Sequence, residues 1–276
     1  MLKSFSGYFV AFLATASVGG LLMVAFAATI TNSYFWSFIA LILWFIASAL
    51  FYATLSQRRA NKFSKLLNDC RAEEYVEAYD RLEEKAYKGE GKRSAVMNKA
   101  RGLISMGAID EALEILRDLE LSEKHKVKDM HMMAVYNNLL FNAYVEKGDL
   151  ESAVRALAVC DYMLTDIVYQ EPYRSMMYEL CQRANARLAL ARCEFDGIEE
   201  RYWEFLRTSS SKIDKVMCHY RLAEIAEHFG NEEERQEHLE FVSENGGSTI
   251  YKFLADLALD GASVQDQAYN EGFVDE

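Results

Sequence analysis

Residues 145–157 read VEKGDLESAVRAL, and the fold turns on how they are understood. Gly148 sits among polar residues; Ala153 follows it five positions on and Leu157 nine positions on. The same order appears at 105–116, SMGAIDEALEIL, and in shorter form at 71–82, RAEEYVEAYDRL. Around these starts the apolar residues recur at intervals of three and four, the period of a helix with one buried face. Beyond residue 55 there is one proline, Pro172, and the good helix formers Ala, Leu, Glu, Arg, Lys and Met dominate. The expectation is an all-α protein.

Working outward, Glu73, Gly107, Gly148, Cys193 and Gly230 take equivalent places as turns, at steps of 34, 41, 45 and 37 residues. Seven residues before each lie Leu66, Ala100, Phe141, Ala186 and Ala223. Five residues after come Ala78, Ala112 and Ala153, then Ile198 and Arg235. Nine after come Leu82, Leu116, Leu157, Tyr202 and Leu239. Small residues let two helices cross closely, and glycine makes the left-handed turn between them at little cost. A single pair cannot cover its own apolar face, so pairs must stack.

This pattern resembles the tetratricopeptide repeat family. NAYVEKGDLESAVRAL (142–157), MGAIDEALEIL (106–116) and EEYVEAYDRL (73–82) carry the resemblance. It covers roughly residues 59–245, is strongest in the first three units, and weakens where Ile198 and Arg235 replace the small alanine. The family's frequent proline at the end of the second helix is missing. The resemblance implies a helical-hairpin solenoid over 56–245, closed by a capping helix at 246–260 and followed by an acidic tail at 261–276.

The N-terminal part has a different character. From Ser4 to Gln57 there is no Asp, Glu, Lys or Arg, in a chain with 26% charged residues. Two apolar runs, about 8–30 and 34–55, are each long enough to cross a hydrocarbon core of ~30 Å as a helix. Thr31, Asn32 and Ser33 form the turn, so residues 1–55 are expected to be a transmembrane hairpin. Ala16 with Gly20, and Ala49 with Ala53, are small pairs at a spacing that lets helices approach. Lys3 and the AFA at 25–27 admit a cleaved leader, but the first run exceeds the length of a leader's apolar region. Arg58, Arg59, Lys62 and Lys65 follow the second run, while the turn carries no cation. Cations stay on the cytoplasmic side, which places both termini and the repeats in the cytoplasm, at the cell membrane.

Residues 56–101 hold 12 Lys+Arg against 8 Asp+Glu, a net of +4; residues 102–276 hold 17 against 34, a net of −17. The distal part would be repelled by nucleic acid. Five cysteines without a C-x-x-C pair suggest neither a disulfide framework nor a zinc site. His125, His131, His219, His228 and His238 are isolated, and the methionines of 130–133 read as core rather than as a soft-metal site. No phosphate loop, dinucleotide fingerprint or nucleophile motif occurs. The expectation is no enzyme, no cofactor and no metal.

In the resembling family the first helix of each pair lines a concave, peptide-binding face. Ten and six residues before the turns lie Met97 and Arg101, Asn138 and Asn142, Arg183 and Arg187, and Tyr220 and Glu224. Members of each pair are four apart and share a helix face. The resemblance thus implies a peptide site at Arg101, Asn138, Asn142, Arg183, Arg187 and Tyr220. Amides would hold an extended backbone and guanidinium groups would grip carboxylates, so the partner would be an acidic protein segment. Internal salt bridges to glutamate are the other reading of the same residues. The function expected is a membrane-anchored interaction scaffold; the alternative is an accessory subunit of a membrane transport or secretion complex, held through its hairpin.

Overall fold

The computed structural model describes residues 14, 16–22, 24–26, 29, 34–85, 89–119, 127–165 and 173–261. The start of the first apolar run, the turn at 31–33 and the tail beyond 261 lie outside them. Among the described residues every regular element is a helix. The first is the short apolar α1 (Ala16–Phe26). Then come α2 (Tyr34–Asn68), α3 (Ala72–Lys85), α4 (Glu90–Met106), α5 (Ile109–Arg117), α6 (Val127–Glu146) and α7 (Leu150–Thr165). The chain continues through α8 (Tyr173–Ala191), α9 (Ile198–Thr208), α10 (Lys212–Phe229), α11 (Glu232–Asn245) and α12 (Ile250–Leu259).

One helix stop is used five times. Cys70, Gly107, Gly148, Cys193 and Gly230 all have positive φ, between 59° and 84°. The amide of each donates three residues back, to Leu67, Ile104, Val145, Leu190 and Glu227 respectively. The next amide donates five residues back, to Leu66, Leu103, Tyr144, Ala189 and Ala226. This pair of bonds satisfies carbonyls that a helix end would otherwise leave open. It corrects the first unit of the alignment, which places the turn at Glu73: the chain turns at Cys70, and Glu73 lies in the first turn of α3. Cysteine does not announce a left-handed turn, which costs it roughly 1–2 kcal/mol. Here its side chain is fully buried among Val216, Tyr220, Tyr251 and Leu254, which offsets that cost.

The other registers hold. Ala100, Phe141, Ala186 and Ala223, seven before their turns, are wholly buried, as are Ala112 and Ala153, five after. In the first unit bulk and space change places. Tyr75 stands five after Cys70, and Gly102 of α4 faces it; a Cβ on Gly102 would come within 2.9 Å of the Tyr75 ring.

The last element meets the first. The Ser248 amide donates to the Cys70 carbonyl at 2.9 Å, and the Glu73 amide donates to Ser248 Oγ at 3.2 Å. Gly247 has φ 58°, and a Cβ there would lie 2.2 Å from the Cys70 oxygen, so only glycine fits. Ile213 of α10 packs on Leu67, Ala72 and Tyr75, and Ile250 of α12 covers Gly107. The array of hairpins therefore closes on its own beginning through α10 and α12.

α2 joins two environments in one unbroken helix of 35 residues. Its window Phe38–Leu55 is long and apolar enough to cross a membrane, and none of it is buried inside the protein. Its last turns, with Leu67 buried, belong to the packed array. Against the apolar half lies α1. Trp44 Nε1 donates to the Ala16 carbonyl at 2.8 Å, and a Cβ on Gly19 would strike the Trp44 ring. Ala16 and Gly20 are buried at this contact, whereas Ala49 and Ala53 face outward.

Candidate functional site

α6, α8 and α10 place a connected set of polar side chains between them. Asn138, Asn142 and Glu146 stand on successive turns of α6, four residues apart and so on one face. Asn142 Nδ2 donates to Asn138 Oδ1 at 3.0 Å, and its Oδ1 accepts from Arg187 Nη1 at 2.5 Å. Arg187 Nη2 pairs with Glu146 Oε1. The same carboxylate oxygen accepts from Arg221 Nη2 of α10 at 3.2 Å. Arg221 Nη1 in turn donates to both oxygens of Glu224, at 2.7 and 2.9 Å. The Arg221 guanidinium lies over the rings of Tyr220 and Tyr251, at 5.3 and 5.7 Å, which adds a cation–π attraction.

Two arginines and two glutamates make this set neutral overall. Arg187, Arg221 and Glu224 are all buried. Burial depresses the Arg187 guanidinium, and the neighbouring Arg221 charge adds to that effect. Burial would depress Arg221 too, but the Glu224 charge holds it above its usual value. Burial raises the Glu224 carboxyl against the pull of Arg221. Guanidinium groups stay charged throughout the accessible pH range, so the arrangement is a fixed ionic bridge between three helices.

The residues singled out from the sequence fall into three settings. Asn138, Asn142 and Arg187 come together in the network. Tyr220 is beside it but enclosed, and its Oη has no hydrogen-bond partner among the described residues. Arg183 lies outside the network, half-buried over the Phe205 ring at 5.1 Å, with Ser209 Oγ at 3.3 Å and Glu179 at 3.5 Å. Arg101 is exposed on α4, near Tyr75 and Tyr79. Glu146 and Arg221 were not singled out. Glu146 continues the Asn138–Asn142 strip by one turn, so the same spacing would have found it. Arg221 follows Tyr220 directly, about 100° round the helix, and no periodic signal marks it.

Other titratable groups lie apart from this network. His219 Nδ1 and His238 Nδ1 are 3.1 Å apart, with Phe241 stacked on His219 and Trp203 beside His238. Burial, with the nearby His238, lowers His219 to about 4. Cys160 and Cys218 are buried, and desolvation pushes both thiols up to about 12. Met130 packs with Met163 and Met177 in the apolar core. Among the described residues no group of three or more His, Cys, Asp or Glu is placed to hold a metal ion.

No protein-family model matches the chain, and neither does any curated protein or solved structure.

Proposed function

We propose that the chain is a membrane-anchored interaction scaffold, in which a two-span hairpin carries a tetratricopeptide-like solenoid on the cytoplasmic side. The observation that carries this reading is α2. Trp36, Phe38, Leu43, Phe45, Ile46, Leu50 and Phe51 leave large apolar surfaces exposed along one helix, which then enters the packed array without a break. Exposed apolar surface on that scale marks a site of burial elsewhere, and its length matches a hydrocarbon core. The tight α1–α2 contact supports a hairpin, and the five repeated helix stops support a solenoid of hairpin units. The cations after Leu55 support the cytoplasmic placement.

A partner held by the array would be concentrated at the membrane by the tether alone. Within the implied peptide strip, Arg101, Asn138, Asn142 and Arg183 retain exposed or half-exposed side chains. Arg187 is already matched by Glu146, so its substitution would disturb the fold before it reported on binding. The test has two parts. In sealed membrane vesicles, the array should resist extraction at alkaline pH and be cut by protease only on its cytoplasmic side. With an identified partner, Asn138→Ala combined with Arg183→Ala should weaken capture roughly tenfold or more at low salt, with helicity unchanged. Release at alkaline pH, or equal capture by the double variant, would refute the corresponding half.

One observation favours the second reading, an accessory subunit held through its hairpin. Ala16, Gly19 and Gly20 are used against Trp44, yet Ala49 and Ala53 present a second small-residue track outward. Another membrane helix could pack there closely. If Ala49→Leu with Ala53→Leu abolishes capture while the cytoplasmic substitutions do not, the hairpin carries recognition.

A further inference from the structure

The basic segment after the span contains two populations of cations. Those on α3 and α4 and in the turn before them are largely matched within the protein. Arg71 pairs with Glu74, Arg81 with Glu77 at 3.2 Å, Lys92 with Glu83 at 3.7 Å and Lys99 with Asp80 at 2.6 Å. On α2 the situation differs: Arg58, Lys62 and Lys65 are exposed, and none has an ion-pair partner among the described residues. Among the described residues, most of the unmatched positive charge of this part of the chain therefore lies on the helix that emerges from the apolar window.

Helix geometry groups these three. At 3.6 residues per turn, positions 58, 62 and 65 fall within about 60° of one another. Leu67, the buried contact of this stretch with the array, lies on the opposite side, about 180° from Arg58. Arg58 and Lys65 thus point away from the acidic array, and Lys62 flanks the side on which Leu66 and Leu67 meet it. Because α2 is continuous, their heights are set by its rise. Arg58 stands about 4.5 Å beyond Leu55, Lys62 about 10.5 Å and Lys65 about 15 Å. The polar headgroup zone beyond the hydrocarbon is roughly 5–8 Å deep, and an anionic surface acts over a further Debye length of about 8 Å. The combined depth is about 13–16 Å, so Arg58 and Lys62 lie well inside it and Lys65 stands at its outer edge.

We infer that Arg58, Lys62 and Lys65 form a collar on α2 that binds anionic phospholipid headgroups of the leaflet from which the array emerges. The inference rests on the membrane reading above. A helix that stays rigid through the interface fixes the collar at the headgroups, and the acidic array beyond is repelled from the same surface. Attraction at the collar and repulsion beyond it both favour an array standing off the membrane.

The test uses the full chain reconstituted in nanodiscs of phosphatidylcholine mixed with phosphatidylglycerol. Native mass spectrometry then counts the lipids retained after mild detergent. Each cation near an anionic surface contributes about fivefold, so wild-type protein should retain phosphatidylglycerol well above its bulk share. The triple variant R58Q/K62Q/K65Q should fall to the bulk ratio, with unchanged helicity. Arg81→Gln, which removes a cation already paired with Glu77, should leave enrichment intact. Insertion with undiminished enrichment in the triple variant overturns the collar alone. Release of the wild-type chain by alkaline extraction overturns the membrane reading and the collar with it. Displacement of the lipid by soluble glycerol phosphate would show a site for free anions and would also overturn the collar.

Discussion

Arg187 and Arg155 both sit on helices of the array and both pair with a glutamate, but in opposite surroundings. Arg187 is at the centre, its side chain 9% exposed, and bridges α8 to Glu146 of α6. Arg155 is on the rim, 65% exposed, and reaches Glu151 one turn back on its own helix at 2.5 Å. The central pair ties together helices far apart in sequence; the rim pair only decorates one helix. Removing a partner at the centre strands a charge away from water, whereas at the rim water takes its place. The same two residue types therefore set the register of α6, α8 and α10 in one region and do little in the other.

Arg187→Ala offers the largest break in this contrast. It leaves Glu146 to Arg221 alone and opens a space beside Asn142. A buried partner removed in this way costs about 3–5 kcal/mol, so the unfolding midpoint of the full chain in detergent should fall sharply. A loss below about 1 kcal/mol would mean that the centre is wet and behaves like the rim.

Ala153→Leu tests packing rather than charge. Ala153 is wholly buried on α7, within the core cluster shared with α6 and α8. Overpacking there should cost about 1–3 kcal/mol, read from the same melts. An unchanged midpoint would show that the helices do not cross where the alanine sits.

A third test concerns pH at the His219–His238 contact. His219 titrates near 4 in the folded chain, below its ordinary value of 6.5. At pH above 6.5 both folded and unfolded chains hold it neutral, and its full contribution is present. As pH falls from 6.5 towards 4, the unfolded chain takes up a proton that the folded chain refuses, and stability is lost. Solvent screening at this half-exposed ring keeps the loss to about 1 kcal/mol. His219→Phe should flatten the dependence across that window. Equal slopes in both proteins would assign the dependence to other groups.

The smallest effect belongs to the rim. Arg155→Ala should move stability by no more than about 0.5 kcal/mol, and added salt should erase even that. A loss comparable to that of Arg187→Ala would remove the distinction between centre and rim.

Much of this architecture is legible in the chain. The glycine turns at 107, 148 and 230, the buried positions seven before and nine after them, and Ala112 and Ala153 five after the first two follow from period and residue size. Sequence spacing puts the first turn at Glu73 and not at Cys70 because the left-handed residue is a cysteine, and because Tyr75 against Gly102 reverses the usual order of large and small. Half of the central network is also legible, since spacing from the turns picks out Asn138, Asn142 and Arg187. Arg221 and its bond to Glu146 are not, because residues 75 apart in sequence meet only when α6 and α10 are already packed.

What the sequence alone determined is local: helical period, the small and large positions of each hairpin, the charge-free stretch before residue 57 and the cations that follow it. These depend on neighbours a few residues away, so spacing and composition express them. What only the tertiary structure decided is closure. Gly247 and Ser248 dock on the Cys70 carbonyl, α10 settles against α2, and Arg187 of α8 and Arg221 of α10 converge on the half-buried Glu146 of α6. That outcome depends on the summed angles of five hairpins with unequal steps, and no local pattern encodes such a sum.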